Sequence, residues 1–93
     1  MKTIFKYKVE DKLQLPLNGK IVHAGLQHGE LHIWVEFDKP CDMRLMQYKE
    51  RAFKVFGTSH EIIGSWEHIA SYFEIPFVWH LYEDMNYEPP AKN

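Results

Sequence analysis

Residues 21–37 constrain the fold most, because their apolar side chains alternate on both sides of a short turn signal. Successive side chains of a β-strand point to opposite faces of the sheet, so a period of two predicts one buried face. His28-Gly29 separates the two alternating runs and fits a two-residue hairpin turn. The segment therefore predicts a hairpin whose core face consists of Val22, Ala24, Leu26, Leu31, Ile33, Val35 and Phe37.

The other face of this predicted hairpin carries aromatic rings where a solvated strand ordinarily carries Lys, Thr or Glu. With a two-residue turn, His23 lies opposite Trp34 and Gly25 lies opposite His32. This cluster predicts a binding face. Four interpretations of Trp34 stay open: a second layer covers it, it anchors an interface, a ligand stacks on it, or it covers the gap at Gly25.

Three further segments alternate in the same way and are expected to be strands. They are residues 3–9, 51–56 and 77–83. The first presents Lys6 and Lys8 on its outer side, and charged side chains of this kind suit an exposed sheet edge because they discourage pairing with another chain.

A second hairpin is predicted at Asn18-Gly19, a dipeptide that favours two-residue turns. Residues 13–17 alternate up to this turn and are expected to form a short strand. Pro16 has no backbone N–H to donate, so this strand should lie at a sheet edge or end early. The expected cross-strand pairs are Leu15 with Val22 and Leu13 with Ala24.

Two segments are ambiguous between helix and strand. In residues 41–50, Asp42 is a candidate cap for a short helix, and the alternative is a direct lead into the next strand. Residues 61–73 show helical spacing, but Gly64 interrupts it, and the β-rich context favours a strand from about residue 66 to residue 73. The helically spaced side chains are Ile62, Trp66, Ile69, Ala70 and Phe73.

Together these patterns predict a mainly β fold: six or seven short antiparallel strands in a compact sandwich or rolled sheet, with at most one short helix. That helix would lie between residues 42 and 50 or between residues 60 and 70. Residues 74–76 turn the chain into the last strand. We expect one domain over residues 1–85, followed by a flexible tail over residues 86–93.

Charge and composition narrow the classes of function. Aromatic residues make up 15% of the chain, which favours both sheets and binding surfaces. The formal net charge is −2, so no overall positive field attracts a phosphate backbone. Nucleic-acid partners are therefore not expected.

Cysteine usage and hydropathy indicate the compartment. Cys41 is the only cysteine, so no intramolecular disulfide can form, which is typical of a reducing compartment. Residues 1–12 contain no apolar run long enough for a signal peptide, and no segment approaches the roughly 20 apolar residues of a membrane span. The sequence thus predicts a cytoplasmic protein with no membrane partner.

Four motifs resemble a family of small uncharacterised bacteriophage-encoded proteins. These proteins share a K-x-I-[FY]-K-Y opening, a V-G-L-Q-x-G hairpin, a G-T-G-H-x-I loop and an F-V-W-H-L-[FY]-E ending. The chain departs from this pattern at Ser59, where the family usually has Gly, and in a longer segment over residues 41–50. The resemblance implies a mainly β fold and action in the cytoplasm of a bacterial host, but no particular chemistry. The corresponding segments of this chain are residues 2–7, 23–29, 56–62 and 76–83.

A metal site is one hypothesis for the six histidines. Zinc requires three or four converging ligands, and His23 and His32 on one hairpin face, with His80 on a neighbouring strand, are candidates. Because no tight ligand spacing supports this set, we expect no metal and no cofactor, and we expect histidines that bond to backbone groups instead.

The loop Thr58-Ser59-His60 is a second candidate binding site. Backbone N–H groups, two hydroxyls and an imidazole at a strand end can hold a phosphate or a carboxylate. The structural alternative is that Gly57 permits a tight turn while Thr58 or Ser59 bonds to nearby backbone groups.

Signals for catalysis are weak. Ser59 and His60 are neighbours on a strand end, so adjacency alone does not make them a dyad. Ser71 and Cys41 have no evident activating base in the sequence, and no known catalytic motif occurs. We therefore expect that the protein is not an enzyme.

The sequence is thus interpreted as a non-enzymatic phage accessory protein that binds a partner in the host cytoplasm. The partner is a host protein, or a small anionic, nucleotide-like defence signal held by a homo-oligomer. The alternatives are a metal-dependent hydrolase with clustered histidines and a structural phage protein. The expected binding residues are His23, His32, Trp34, Thr58, Ser59 and His60.

Overall fold

The computed structural model of the chain describes residues 1–90, which form seven β-strands in two antiparallel sheets. The strands are β1 (Lys2–Lys8), β2 (Lys12–Pro16), β3 (Lys20–Gln27), β4 (Glu30–Asp38), β5 (Tyr48–Gly57), β6 (Trp66–Glu74) and β7 (Phe77–Asp84). One sheet has the order β1-β4-β3 and the other the order β2-β5-β7-β6. The prediction of a mainly β fold with six or seven antiparallel strands is confirmed.

The core lies between the two sheets and draws on every second residue of the central strands. Both sheets contribute side chains that are almost wholly shielded from solvent, and burial of each contributes about 1.5–3 kcal/mol to stability. Partly buried side chains, among them Tyr7 and Ala24, pack around this cluster. The cluster itself consists of Leu15, Ile33, Val35, Phe53 and Leu81.

The β3–β4 hairpin confirms the predicted turn and most of the predicted register. His28 and Gly29 both have left-handed backbones, with φ of 52° and 77°, as a two-residue turn of type I′ requires. His23 pairs with Trp34, and Gly25 pairs with His32. The hairpin therefore presents the predicted aromatic cluster on one face.

Val22 does not lie on the core face, contrary to the prediction. A β-bulge shifts the register between Ile21 and His23, so that Ile21 pairs with Val35 and packs against the core. Val22 is the extra residue, and its side chain is 43% exposed. The bulge reverses the phase of the alternation, so that Ile21 before it and Ala24 after it both face the core, and extending the pattern of residues 24–26 back to Val22 gives the wrong face.

The hairpin predicted at Asn18-Gly19 is absent, and with it the pairs of Leu15 with Val22 and Leu13 with Ala24. β2 pairs with β5, whereas β3 pairs with β4 in the other sheet. Only Asn18 has a positive φ, 63°, so the turn is not of type I′. It is closed by the Gly19 N–H, which donates to the Pro16 carbonyl at 2.8 Å, and it carries the chain from one sheet to the other. β2 is an edge strand that ends at Pro16, as the proline predicted.

Gly19→Ala is expected to destabilise the fold by about 1–3 kcal/mol, because a Cβ atom at this position overpacks a rigid site. It would lie 2.7 Å from Val35 Cγ1 and 2.9 Å from the Pro16 carbonyl oxygen. At Gly29 nothing lies within 4 Å, so Gly29→Ala carries only the left-handed backbone penalty of about 1–2 kcal/mol. Urea unfolding of both variants measures the difference, and an undisturbed Gly19→Ala protein would show that this turn is loosely packed.

Of the two ambiguous segments, residues 41–50 hold a short 3-10 turn before β5 begins at Tyr48, and residues 61–73 are strand from Trp66 onward. In the first, a 3-10 turn over Met43–Leu45 is capped by Asp42, whose side chain accepts from the Arg44 N–H at 3.0 Å, and β5 follows. The second forms β6, in which a β-bulge between His68 and Ala70 shifts the register. The bulge accounts for the two consecutive apolar residues in this spacing, since Ile69 packs against the core and Ala70 pairs with the buried Leu81. Among residues 1–90, no helix is long and apolar enough to cross a membrane.

An ion pair links β5 and β7, the two central strands of the four-stranded sheet, and also contacts the turn between the sheets. The Arg51 Nε and Nη2 atoms each donate to a carboxylate oxygen of Glu83 at 2.6 Å. The Arg51 Nη1 atom donates to the Gly19 carbonyl at 3.0 Å. Both side chains are largely shielded from solvent, so the pair stabilises the fold only while both partners are present.

The segment after β7 begins in contact with β2. Tyr87 lies beneath Lys12, whose Nζ atom is 5.5 Å from the centre of the ring. The flexible tail expected over residues 86–93 stays a prediction, and residues 91–93 lie outside the described residues.

Candidate functional site

The predicted aromatic cluster lies on the outer face of the three-stranded sheet. Ile33 and Val35 of β4 point into the core, so the residues that alternate with them point away from it. β1, β3 and β4 each contribute to this surface through register partners. We call it the Trp34 face and define it by Lys6, His23, Gln27, His32 and Trp34.

Two imidazoles flank the half-buried indole of Trp34. The ring centre of His23 is 4.9 Å from that of Trp34, and the ring centre of His32 is 6.4 Å away. His32 Nδ1 lies 3.0 Å from the Glu30 carbonyl oxygen, so it carries the hydrogen and donates. Gly25 is covered by the His23 ring rather than by the indole, since His23 Nε2 is 3.4 Å from the position of a Cβ atom there. The indole is thus held in place by its neighbours.

Charged side chains of both signs surround the rings. Lys6 pairs with Trp34 across β1 and β4, and its Nζ atom donates to Gln27 Oε1 at 2.7 Å. Lys8 forms an exposed ion pair with Glu30 at 3.3 Å. An aromatic centre with a charged, solvated rim is the usual anatomy of a protein–protein interface.

The loop Thr58-Ser59-His60 lies on the other sheet, at the end of β5. His60 Nδ1 accepts a hydrogen bond from the Gly57 N–H at 2.9 Å, which makes the imidazole a part of the turn. Ser59 has a left-handed backbone with φ of 75°. The predicted residues therefore form two groups on different sheets: His23, His32 and Trp34 lie together, whereas Thr58, Ser59 and His60 do not join them within one chain.

The three-histidine metal hypothesis is wrong in its geometry. His23 and His32 belong to β3 and β4 of the three-stranded sheet, whereas His80 belongs to β7 of the other sheet. Within residues 1–90, no group of three or more His, Cys, Asp or Glu side chains is placed to hold a metal ion.

His80 instead belongs to a hydrogen-bonded chain on the outer face of the four-stranded sheet. Ser71 Oγ lies 2.7 Å from His80 Nδ1 and 2.9 Å from His68 Nε2. Thr58 Oγ1 lies 3.2 Å from His80 Nε2. An imidazole thus lies on each side of the Ser71 hydroxyl, whereas the sequence alone indicated no base near this residue.

A signal for this chain of contacts exists in the sequence. Residues 75 and 76 form a two-residue turn between β6 and β7, in which Glu74 pairs with Phe77. Counting back from this turn pairs Ser71 with His80, and the buried Leu81 requires His80 to point outward. His68 lies beyond the bulge, where the register is shifted, so the sequence pattern does not predict its contact with Ser71.

A groove of about 320 Å³ runs between the edge strands β3 and β6. It lies where the two β-bulges face each other, and its exposed lining is of mixed polarity. His23 of the Trp34 face and Ser71 of the hydrogen-bonded chain stand on opposite walls. The lining residues are Ile21, Val22, His23, Ala24, Ile69, Ala70 and Ser71.

Comparison with known proteins places the chain in a family. No curated protein and no solved structure is significantly similar to it. A family model described as a domain of unknown function, DUF7352, matches residues 1–92. Because this match covers nearly the whole sequence, the chain belongs to the DUF7352 family.

Proposed function

We propose that this chain is a phage accessory protein that acts in the host cytoplasm by binding a host protein through the Trp34 face. The observation that carries the proposal is the position of Trp34, a half-buried indole on the outer side of the central strand β4. Large aromatic side chains of this kind dominate the binding energy of protein interfaces. The binding function itself requires no catalytic group, no metal and no cofactor.

The shape of the Trp34 face favours a protein partner over a small ligand. A small ligand usually buries most of its surface in a concave site, whereas the indole lies on an open sheet. The groove between β3 and β6 touches the Trp34 face only at His23. An open sheet face with an aromatic centre and exposed Lys6 and Lys8 suits a protein surface instead.

Sequestration of a small anionic ligand requires a different arrangement. His23, His32 and Trp34 are on one sheet and the Thr58–His60 loop is on the other. In this version the ligand is held by an oligomer, in which the loop of a second copy approaches the Trp34 face of the first. This version predicts a homo-oligomer in addition to a bound small molecule.

Native mass spectrometry before and after incubation with host lysate tests the proposal. We expect an added mass of protein size, which proteomic digestion then identifies. An added mass of a few hundred daltons on an oligomer would replace this proposal by the sequestration version. If the protein gains no mass in lysate, binding to a host component is contradicted and a structural role in the phage takes its place.

A further inference from the structure

We propose that Ser71 is a nucleophilic serine, activated by His80, that accepts acyl groups from esters of short apolar acids. This site shares only His23, on the far wall of its groove, with the Trp34 face and adds a chemical activity to the proposed binding function. The inference is drawn from the hydrogen bonds around Ser71 and from the groove beside it.

The contacts of Thr58 assign a direction to the hydrogen bonds around Ser71. A hydroxyl has one hydrogen, so Ser71 donates to one imidazole and accepts from the other. Thr58 Oγ1 donates its one hydrogen to the Val78 carbonyl, so it accepts from His80 Nε2. His80 Nδ1, 2.7 Å from Ser71 Oγ, is then an acceptor, and His68 Nε2 lies 2.9 Å from the same oxygen. Ser71 therefore donates to His80, and His68 donates to Ser71.

Thr58 holds His80 in the tautomer that this direction requires. When Nδ1 of a neutral imidazole accepts, Nε2 carries the hydrogen. His80 Nε2 then donates to Thr58 Oγ1 at 3.2 Å, and Thr58 Oγ1 donates in turn to the Val78 carbonyl at 3.4 Å. A nucleophile bonded to a base, with the base oriented by a third group, is the arrangement that activates serine in hydrolases and transferases. Thr58 is thus a positioning residue.

The groove between β3 and β6 supplies room for the acyl chain. Ser71 is exposed at its rim, whereas His80 is half-buried behind the hydroxyl. A volume of about 320 Å³ is at the lower end of the range for ligand sites and fits a short chain. Ile21, Val22 and Ile69 offer apolar contacts to the acyl chain within a lining of mixed polarity.

The reaction has two balanced steps. In the first, Ser71 Oγ forms a bond to the ester carbonyl carbon while its proton passes to His80 Nδ1. The bond from that carbon to the leaving alkoxide breaks, and His80 returns the proton to the alkoxide, so an acyl-serine and an alcohol result. In the second, His80 takes a proton from water as the water attacks the acyl carbon, and then protonates Ser71 Oγ as the free acid leaves.

The test uses p-nitrophenyl butyrate and a Cys41→Ser background, because the exposed thiol of Cys41 also reacts with activated esters. We expect a burst of nitrophenolate and an intact-mass increase that maps to Ser71. Ser71→Ala should abolish both signals, and His80→Gln should slow acylation by about 100-fold. Ser65→Ala, at an exposed serine just before β6, should leave both signals unchanged.

Thr58 variants separate positioning from folding. Thr58→Val should slow acylation while the melting temperature stays near that of the parent, and Thr58→Ser should restore the rate because it restores the hydroxyl. A parent protein that forms no adduct, or a Ser71→Ala protein that acylates at the parental rate, would overturn the proposal. Folding of Ser71→Ala is checked by circular dichroism, and the fluorophosphonate reactivity of folded parent and variant provides a second readout with the same expected contrast.

Discussion

Trp34→Ala is expected to weaken binding of the partner protein by about 30-fold or more, which corresponds to roughly 2 kcal/mol of binding free energy. The indole is the largest side chain on the Trp34 face; it is half-buried and packs against the His23 ring, with 4.9 Å between the ring centres. A side chain that is already ordered loses little conformational entropy when a partner covers it. Titration calorimetry with the partner identified by mass spectrometry measures the loss.

Phe73→Ala is the matched control for this variant. Phe73 is an aromatic residue on β6 of the other sheet and is 75% exposed, so its loss should leave the affinity unchanged. Circular dichroism should show that Trp34→Ala stays folded, because the core residues Ile33 and Val35 point away from the indole. An unfolded Trp34→Ala protein would mean that the indole belongs to the packing of the fold, and an unchanged affinity would place the partner elsewhere.

Glu83→Ala is expected to lower the free energy of unfolding by about 3–5 kcal/mol. The Arg51 guanidinium would then remain shielded from solvent without the carboxylate that it contacts twice at 2.6 Å. Arg51 also donates to the Gly19 carbonyl, so its displacement would loosen the turn that joins the two sheets. Urea denaturation measures the effect.

Glu30→Ala provides the control, since it removes the partner of Lys8 in an exposed ion pair. Exposed pairs contribute at most about 1 kcal/mol, so this variant should unfold close to the parental urea concentration. Replacing both Arg51 and Glu83 by apolar residues should cost less stability than Glu83→Ala alone, because no unpaired charge remains. If Glu83→Ala and Glu30→Ala lowered the free energy of unfolding equally, the Arg51–Glu83 pair would not have the stabilising role that we assign to it.

The fold was predictable from the sequence wherever local periodicity decides the structure. The His28-Gly29 turn has the backbone that its residues favour, and it sets the register of His23 with Trp34. The Asn18-Gly19 turn was not predictable, because its role depends on Val35 and Arg51, which are distant in sequence. Tertiary contacts there override the preference of the dipeptide for a hairpin.

Of the two candidate sites, one was predictable from the sequence and the other was not. The Trp34 face follows from alternation on one hairpin and was found from the sequence. The contacts of Ser71 were missed because they combine β6, β7 and the loop after β5 with a β-bulge near His68. A bulge and a contact between distant strands leave no periodic pattern in the sequence. The sequence pattern therefore does not indicate that these side chains lie together.

The indole N–H signals of the protein test the central claim most directly. The chain has three tryptophans, and a ¹H–¹⁵N correlation spectrum should show one indole signal for each, assigned by single Trp→Phe variants. Trp66 is an internal reference, because its Nε1–H donates to the Ile63 carbonyl at 2.8 Å. When the partner is added, the Trp34 signal should shift or broaden while those of Trp66 and Trp79 stay in place. An unmoved Trp34 signal beside a displaced Trp66 or Trp79 signal would contradict binding through the Trp34 face.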